Sequence, residues 1–379
     1  LLCSDLQLWT RVDTGLYLAS SAIRDTRDLN FMEADTKWDK AARIVPWEPA
    51  YPAIAAEAML DLLPDAKSER DSQQLKMLAV GYFRAAVEAA PNDPWFRQNL
   101  AVLLLNIDPK ESEFHSEQAV RLLPRNDGNY TYYTLGLAYL KQGKLSKAIN
   151  AFVLESLGNP IFLIGRMWEK EPLLSMKHAV ISKSLESYRQ ILSTTNPVSN
   201  QYRWLHEQLI VLSWWYGYPI AAEDQETSSP LIRALLVAND NPEEALDLID
   251  IHIKESGYSD DIHLLQARLS PQQYLPSLLE KLDGTDVEEA TLKESLESEQ
   301  STQSWLSEVA ENVKEQVRYG SIFAYRTLVA NYIQTILNPG DIQVPLLPSG
   351  IGLFPKAPRE YPQLDYYMLD IRTKQLEIE

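Results

Sequence analysis

The stretch YYTLGLAYLKQGKLSKAINAFVLESLGNP, residues 132–160, decides the fold. A glycine, Gly136, sits inside an otherwise strong helical pattern, where it costs roughly 0.5–1 kcal/mol relative to alanine. Some contact must compensate. The spacing Tyr132, Leu135, Gly136, Tyr139, Ala148, Phe152, Pro160 predicts one helix over 129–142, a turn at Gly143, and a second helix over 145–157. The second helix stops at Gly158-Asn159-Pro160. Two antiparallel helices would then cross with Gly136 facing Ala148, small residues that let the axes approach, while Tyr132, Tyr139 and Phe152 fill the space around them.

The second-helix half of this pattern recurs. Ala34, Trp38, Ala41 and Pro46 have offsets of 4, 7 and 12, and Ala79, Phe83, Ala86 and Pro91 repeat them. Ala119 and Pro124 repeat the last part. The endings at Pro46, Pro91, Pro124 and Pro160 are separated by 45, 33 and 36 residues, so insertions interrupt the period. The long gap is assigned to an extended turn, LPDAKSERDSQQ, at 63–74. A weaker echo runs over 241–261, where Ala245 and Ile249 match and His252 replaces a small residue.

With its aromatic, Leu-Gly, Tyr, Ala, Phe and Pro in this order, residues 132–160 resemble the tetratricopeptide repeat, a 34-residue helix–turn–helix unit. Glu155 departs from the pattern, since the family usually has a small residue there. The resemblance implies an all-α solenoid of tetratricopeptide-like antiparallel helix pairs. Its face formed by first helices would bind an extended peptide or a partner helix. In the family's register, Tyr130, Tyr133, Leu137 and Lys141 line that concave face, joined by Arg97 and Ala101 of the preceding repeat.

From Trp168 to Leu337 the repeat is degenerate but helix pairs continue, with candidates at 173–193, 199–216, 229–239, 242–256, 260–268, 271–282, 286–315 and 320–337. Beyond Asn338 the chain changes character. NPGDIQVPLLPSGIGLFPKAPREYPQLD carries six prolines between 339 and 362 and cannot be helical throughout. Its apolar residues Leu346, Leu347, Leu353 and Phe354 predict an ordered strap lying on the helices, and YYMLDIRTKQLEIE a strand-like or helical end. The expected organisation is therefore repeats over 1–165, degenerate helix pairs over 166–338, and a Pro-rich extended segment over 339–379.

The 379 residues are 45% hydrophobic and 23% charged, with a formal charge of −18. Such a balance disfavours nucleic acid, which needs clustered Lys and Arg, and favours basic partners. The acidic excess is heaviest over 288–311 and reads as a solvated helix face. One cysteine, Cys3, allows no internal disulfide. The longest uncharged run spans 15 residues, Gln208 to Ala222, short of the roughly 18 of a membrane span. The chain begins at Leu1 rather than methionine, as a fragment or processed form would.

Catalytic signatures are missing. None of His115, His178, His206, His252 and His263 has a ligand partner at HExxH spacing, and no phosphate-binding glycine loop or GxSxG occurs. No carboxylate pair can be nominated for acid–base work, so neither an enzyme nor a cofactor is expected. The densest aromatic stretch is YRWLHEQLIVLSWWYGYP, 202–219. Trp204, Glu207/Gln208, Val211 and Trp215 fall on one buried stripe at helical spacing. Trp214 lies off it, the member best placed to stack on a sugar.

IVPWEPAYP (44–52), NPIFLIGRMWEKEPL (159–173) and LFPKAPREYPQLD (353–365) resemble segments of the C-terminal helical region of bacterial, notably cyanobacterial, O-antigen ligase and polymerase-like proteins. That resemblance implies the soluble part of a bacterial membrane protein of glycan assembly, placed in the periplasm. The transferase chemistry would belong to a membrane portion outside this chain, so no catalytic residue carries over. The expected function is a non-catalytic scaffold that docks a protein or peptide. The alternative is a glycan-binding accessory module.

Overall fold

The computed structural model describes residues 2–28, 30–63, 66–125, 130–282, 289–308, 310–312 and 343–378. Among the described residues the chain is all-α: consecutive helices pack in pairs, in solenoid-like succession, apart from one three-residue antiparallel ladder. It divides into two compact units. The first contains Leu1–Glu155 with Met368–Glu379, and the second Ser156–Asn312 with Gln343–Tyr367. The division falls ten residues before the expected boundary at 165, and the C-terminal segment is shared between the units rather than forming a third.

In the first unit the helices are α1 (Leu2–Arg27), α2 (Phe31–Ile44), α3 (Ala50–Asp61), α4 (Glu69–Ala89), α5 (Pro94–Leu104), α6 (Pro109–Leu122), α7 (Thr131–Lys141) and the start of α8 (Leu145–Gly158). Helices α1 and α2, α3 and α4, and α5 and α6 pack as pairs. The repeat's signature residues fall on the second helix of each pair. Ala34, Trp38 and Ala41, Ala79, Phe83 and Ala86, Ala119, and Ala148 and Phe152 are all fully buried.

Each of these second helices ends the same way. Proline excludes the helical region for the residue before it. Val45, Ala90, Leu123 and Asn159 accordingly leave the helix at φ −126, −135, −132 and −139° and ψ 67, 74, 76 and 80°. Three of them return a final N–H bond to a repeat alanine, Val45 to Ala41, Ala90 to Ala86 and Leu123 to Ala119, at 2.9–3.0 Å. Helix starts are equally local. The Asp93 and Asp108 carboxylates accept first-turn N–H bonds ahead of Pro94 and Pro109, the capped-proline start.

The 45-residue spacing comes only in part from the expected turn at 63–74, whose second half, from Glu69 onward, is helical. Ser68 caps α4 at once, accepting the Asp71 N–H at 3.2 Å. Helix α4 then runs 21 residues against 14 in α2, α6 and α8. The insertion is thus mainly two added turns of helix, together with a connection between α3 and α4 that is longer than the one between α5 and α6.

Helices α7 and α8 are joined through Gly143 at φ +74°. Its N–H bonds to Leu140 and that of Lys144 to Tyr139, both at 2.9 Å, the paired bonds of a glycine-terminated helix end. Gly136 meets Phe152 rather than Ala148. A Cβ at Gly136 would lie 2.3, 2.6 and 2.9 Å from three atoms of the Phe152 ring. The glycine therefore makes room for an aromatic ring lying on the α7 backbone, and Ala148 is buried without being its nearest neighbour.

Glu155 is where the repeat pattern fails and the structure supplies a reason. Tyr130, ahead of α7, is in the left-handed region at φ 56° and offers no side-chain cap. The Glu155 carboxylate, 1% exposed, takes that role and accepts the N–H groups of Tyr132 and Tyr133 at 3.1 and 3.2 Å. An anion at a helix N-terminus also meets the positive end of the helix dipole.

In the second unit the main helices are α9 (Lys177–Thr194), α10 (Asn200–Trp215), α11 (Ala222–Thr227), α12 (Pro230–Val237), α13 (Pro242–Ser256), α14 (Asp260–Leu269) and α15 (Pro271–Leu282). The single helix expected over 286–315 is broken. It forms α16 (Glu289–Leu296), α17 (Thr302–Glu308) and a strand, Ala310–Asn312, paired with Gln343–Pro345. Arg268 donates to the Ser295 and Leu296 carbonyls and so closes the end of α16. The Ser301 hydroxyl then accepts the Ser304 N–H and starts α17. The candidate helix 320–337 lies outside the described residues.

After a short helix α18 (Leu346–Gly350), residues 351–361 form the non-helical strap. The chain then ends in helix α19 (Pro362–Gln375). Of the two alternatives for the end of the chain, strand-like or helical, the helical one is found: Leu364, Met368, Ile371 and Leu376 are buried.

Two substitutions check this account. Gly136→Ala should destabilise by about 1–3 kcal/mol despite alanine's better helix propensity, because the added methyl overpacks the buried ring. A denaturation midpoint at or above that of the parent would disprove the ring contact. Glu155→Ala should cost about 0.5–2 kcal/mol and speed amide hydrogen exchange at Tyr132 and Tyr133 above that of mid-helix Ala138. Unchanged exchange there would show that Glu155 does not cap α7.

Candidate functional site

The expected partner face divides on inspection. Ala101 is fully buried and its carbonyl accepts the Ser112 hydroxyl at 2.7 Å. Tyr130 begins α7 at positive φ, 7% exposed, and its carbonyl accepts from Gln98 Nε2. Tyr133, 2% exposed, packs 5.8 Å from the Phe152 ring and 6.2 Å from Tyr130. Leu137 is also buried. These four contribute to packing and turn little surface to solvent. Lys141 is exposed and Arg97 half-buried. Arg97 is tied to its own turn, since Nε donates to the Pro91 carbonyl at 2.7 Å and Nη1 lies 3.4 Å from His115 Nδ1. Burial and the Arg97 charge both lower the His115 pKa, keeping that ring neutral near pH 7.

The aromatic cluster is engaged within the second unit. Trp204 Nε1 donates to the Pro355 carbonyl at 3.0 Å, and its ring meets Tyr361 edge-on at 6.2 Å. Gln208 Nε2 donates to the Leu353 carbonyl at 3.3 Å, Gln201 Nε2 to that of Glu360 at 2.9 Å, and Trp215 packs on Phe354. The Tyr361 hydroxyl lies 3.2 Å from Thr195 Oγ1. A strap without helix or sheet must place its polar backbone somewhere, and side chains of α10 receive it. Trp204 and Trp215 are buried; Trp214 is half-buried, edge-on to Trp215 at 6.0 Å.

Under this strap lies a cavity of about 190 Å3, several times the ~30 Å3 share of one water. Helix α10 supplies Glu207 and Gln208, the start of α12 supplies Ser229, Leu231 and Ile232, and the end of α13 supplies His252 and Glu255. The strap contributes Gly352, Leu353 and Pro355. Gln208, Leu231, Ile232 and Leu353 are buried and form the floor, while Glu255, Gly352 and Pro355 are exposed at the rim.

The polar groups here are perturbed by burial. Desolvation raises the Glu207 pKa, opposed by Arg203 and by hydrogen bonds from the Ser229 backbone and side chain. Desolvation lowers that of His252, opposed by Glu255, so the imidazole is neutral near pH 7. Two carboxylates and a neutral imidazole make a site for a positively charged or hydrogen-bond-donating group. No three His, Cys, Asp or Glu side chains among the described residues are disposed to hold a metal ion.

Sequence reasoning placed Glu207 and Gln208 on the buried stripe of α10 and noted His252 as out of pattern, but did not join them. Nor did it give partners to His263, buried in α14, whose Nδ1 faces the Tyr258 hydroxyl and whose Nε2 lies 2.9 Å from Ser277 Oγ. The Ser277 hydroxyl already donates to the Tyr274 carbonyl. The trio therefore reads as a hydrogen-bonded brace between α14 and α15 rather than an activated nucleophile.

No protein-family model matches the sequence, and no curated protein is significantly similar to it. No described helix is long and apolar enough to cross a membrane.

The strap's attachment is directly measurable. Trp204→Leu removes the indole donor and the Tyr361 contact, and should raise trypsin cleavage after exposed Lys356 and Arg359 by on the order of tenfold, the effect of about 1.4 kcal/mol on local opening. An unchanged cleavage rate would mean that Trp204 does not hold the strap.

Proposed function

We propose that this protein is a non-catalytic interaction scaffold that docks a protein partner, as the soluble part of a larger membrane protein of glycan assembly. The observation that carries the reading is the outer face of α1. This helix buries Gly15, Ala19 and Ala22 on its inner side, where a Cβ on Gly15 would meet Val45 and Tyr51. It turns Trp9, Leu16 and Tyr17 away from that side, 66, 56 and 66% exposed. Large apolar residues grouped on one outward helix face are the anchors that protein interfaces use. The net charge of −18 favours a basic partner.

Crosslinking of the purified chain in a membrane extract of its source provides the test. The parent should retain a reproducible protein. A Trp9→Ser/Tyr17→Ser variant should retain at least tenfold less, as the loss of two anchors worth about 1 kcal/mol or more each would give, with an unchanged melting midpoint. Retention of glycan without protein, or equal retention by the variant, would overturn the reading.

A further inference from the structure

Residues 368–378 are held in the first unit by contacts that the repeat itself prepares. A helical carbonyl is normally met by the N–H four residues on. For Val120, in the last turn of α6, that residue is Pro124, which has no N–H. The repeat-ending proline thus leaves the Val120 carbonyl open. The Arg372 guanidinium takes it, with Nη1 donating at 3.2 Å across 252 residues of sequence, and also bonds the Tyr132 hydroxyl. That hydroxyl donates in turn to the Pro124 carbonyl at 2.8 Å. A cation at the end of α6 also meets the negative end of the helix dipole. Lys147 of α8 holds the far end of the segment. Its Nζ donates to the Leu376 carbonyl at 3.1 Å and to the Glu377 carboxylate at 2.7 Å. Met368, Ile371, Leu376 and Ile378 are buried.

The docked segment also carries two local costs. Arg372 is 9% exposed, its Nε has no hydrogen-bond partner, and no carboxylate pairs with it among the described residues. A buried charge with incomplete partners weighs against the docked state. Glu377 takes φ 62°, the left-handed region that residues with a Cβ enter only at a cost. Both costs vanish when the segment leaves, because the guanidinium regains water and the backbone its ordinary conformations. Strain that persists only because the surroundings hold it is a mark of segments that switch.

We propose that residues 368–378 are a releasable plug: they cover a helix-docking face on α6, α7 and α8, and a partner segment of the same chemistry displaces them. That partner segment carries apolar residues at the spacing of Met368, Ile371, Leu376 and Ile378, with an arginine directly after the second. The arginine is specified by the Val120 carbonyl and the Tyr132 hydroxyl, since a planar guanidinium reaches two separate oxygens at once. Lys147 selects a carboxylate near the segment's end. This covered face is independent of the exposed face of α1 and adds a second, gated surface to it.

The test uses the full chain carrying Leu376→Asp and Ile378→Asp, which put carboxylates at two buried apolar positions and so free the segment. The probe is a fluorescein-labelled peptide of residues 368–379. The variant should keep a single cooperative melt and the amide protection of Ala138 in α7, because a plug leaves the helices beneath it intact. It should bind the peptide saturably, with a dissociation constant on the order of 10–100 μM. The parent, whose tethered segment competes at a roughly millimolar effective concentration, should bind at least tenfold more weakly. Arg372→Glu in the peptide should weaken binding to the variant at least tenfold. Lys147→Glu in the variant should weaken it at least threefold, and a peptide with Glu377→Lys should recover that loss. Loss of the cooperative melt or of Ala138 protection would show that the segment belongs to the core and would overturn the proposal. So would the absence of saturable binding, equal binding by parent and variant, or a peptide indifferent to Arg372 and Lys147.

Discussion

The repeat architecture depends on a steric constraint at four residues. A proline ring cannot follow a helical residue without clashing with its N–H and Cβ. Val45, Ala90, Leu123 and Asn159 are therefore driven to nearly the same non-helical conformation. Each second helix thus ends at the same phase relative to its buried alanines. The next helix begins with a comparable local exit, whatever the chemistry of the intervening turn. The same geometry recurs in the degenerate half, where Asn241 and Ser270 precede Pro242 and Pro271 with φ of −142° and ψ of 78 and 80°. Loss of sequence similarity there has not removed the constraint.

Within this frame, departures from the repeat pattern mark polar side chains with tasks. Glu155 stands where a small residue is usual and caps the first turn of α7, which its own N-cap residue leaves uncapped. His252 stands in the corresponding position of the weaker echo and lines the cavity under the strap. Both replace a methyl-sized contact by a polar group, which is tolerated when a partner offsets the desolvation. For Glu155 the partners are two N–H groups of the chain.

The strap shows how a proline-rich segment can be ordered without regular structure. Its prolines lack N–H groups, so its unmet demand is mainly for donors to its carbonyl oxygens. Trp204, Gln208 and Gln201 of α10 supply them to Pro355, Leu353 and Glu360. An aromatic-rich helix suits this work, because tryptophan adds apolar area to an N–H donor. The richest aromatic stretch of the sequence is accordingly spent on holding the chain's own C-terminal segment.

What the sequence determined by itself was the local grammar: helix pairs, their starts at capped prolines, their stops at Pro46, Pro91, Pro124 and Pro160, the turn at Gly143, and the buried stripe of α10. These follow from backbone sterics and short-range hydrogen bonding, which a few neighbouring residues settle. Tertiary structure alone decided which residue Gly136 makes room for, because Ala148 and Phe152 lie one turn apart on the same face and only the helix crossing selects between them. It also decided that Ala101, Tyr130, Tyr133 and Leu137 are packed away, since their exposure depends on what covers the helix rather than on its register. The joining of Glu207, Gln208 and His252 in one cavity, across more than forty residues, was decided in the same way. Long-range proximity of this kind is set by how successive helices pack, and no local spacing encodes it.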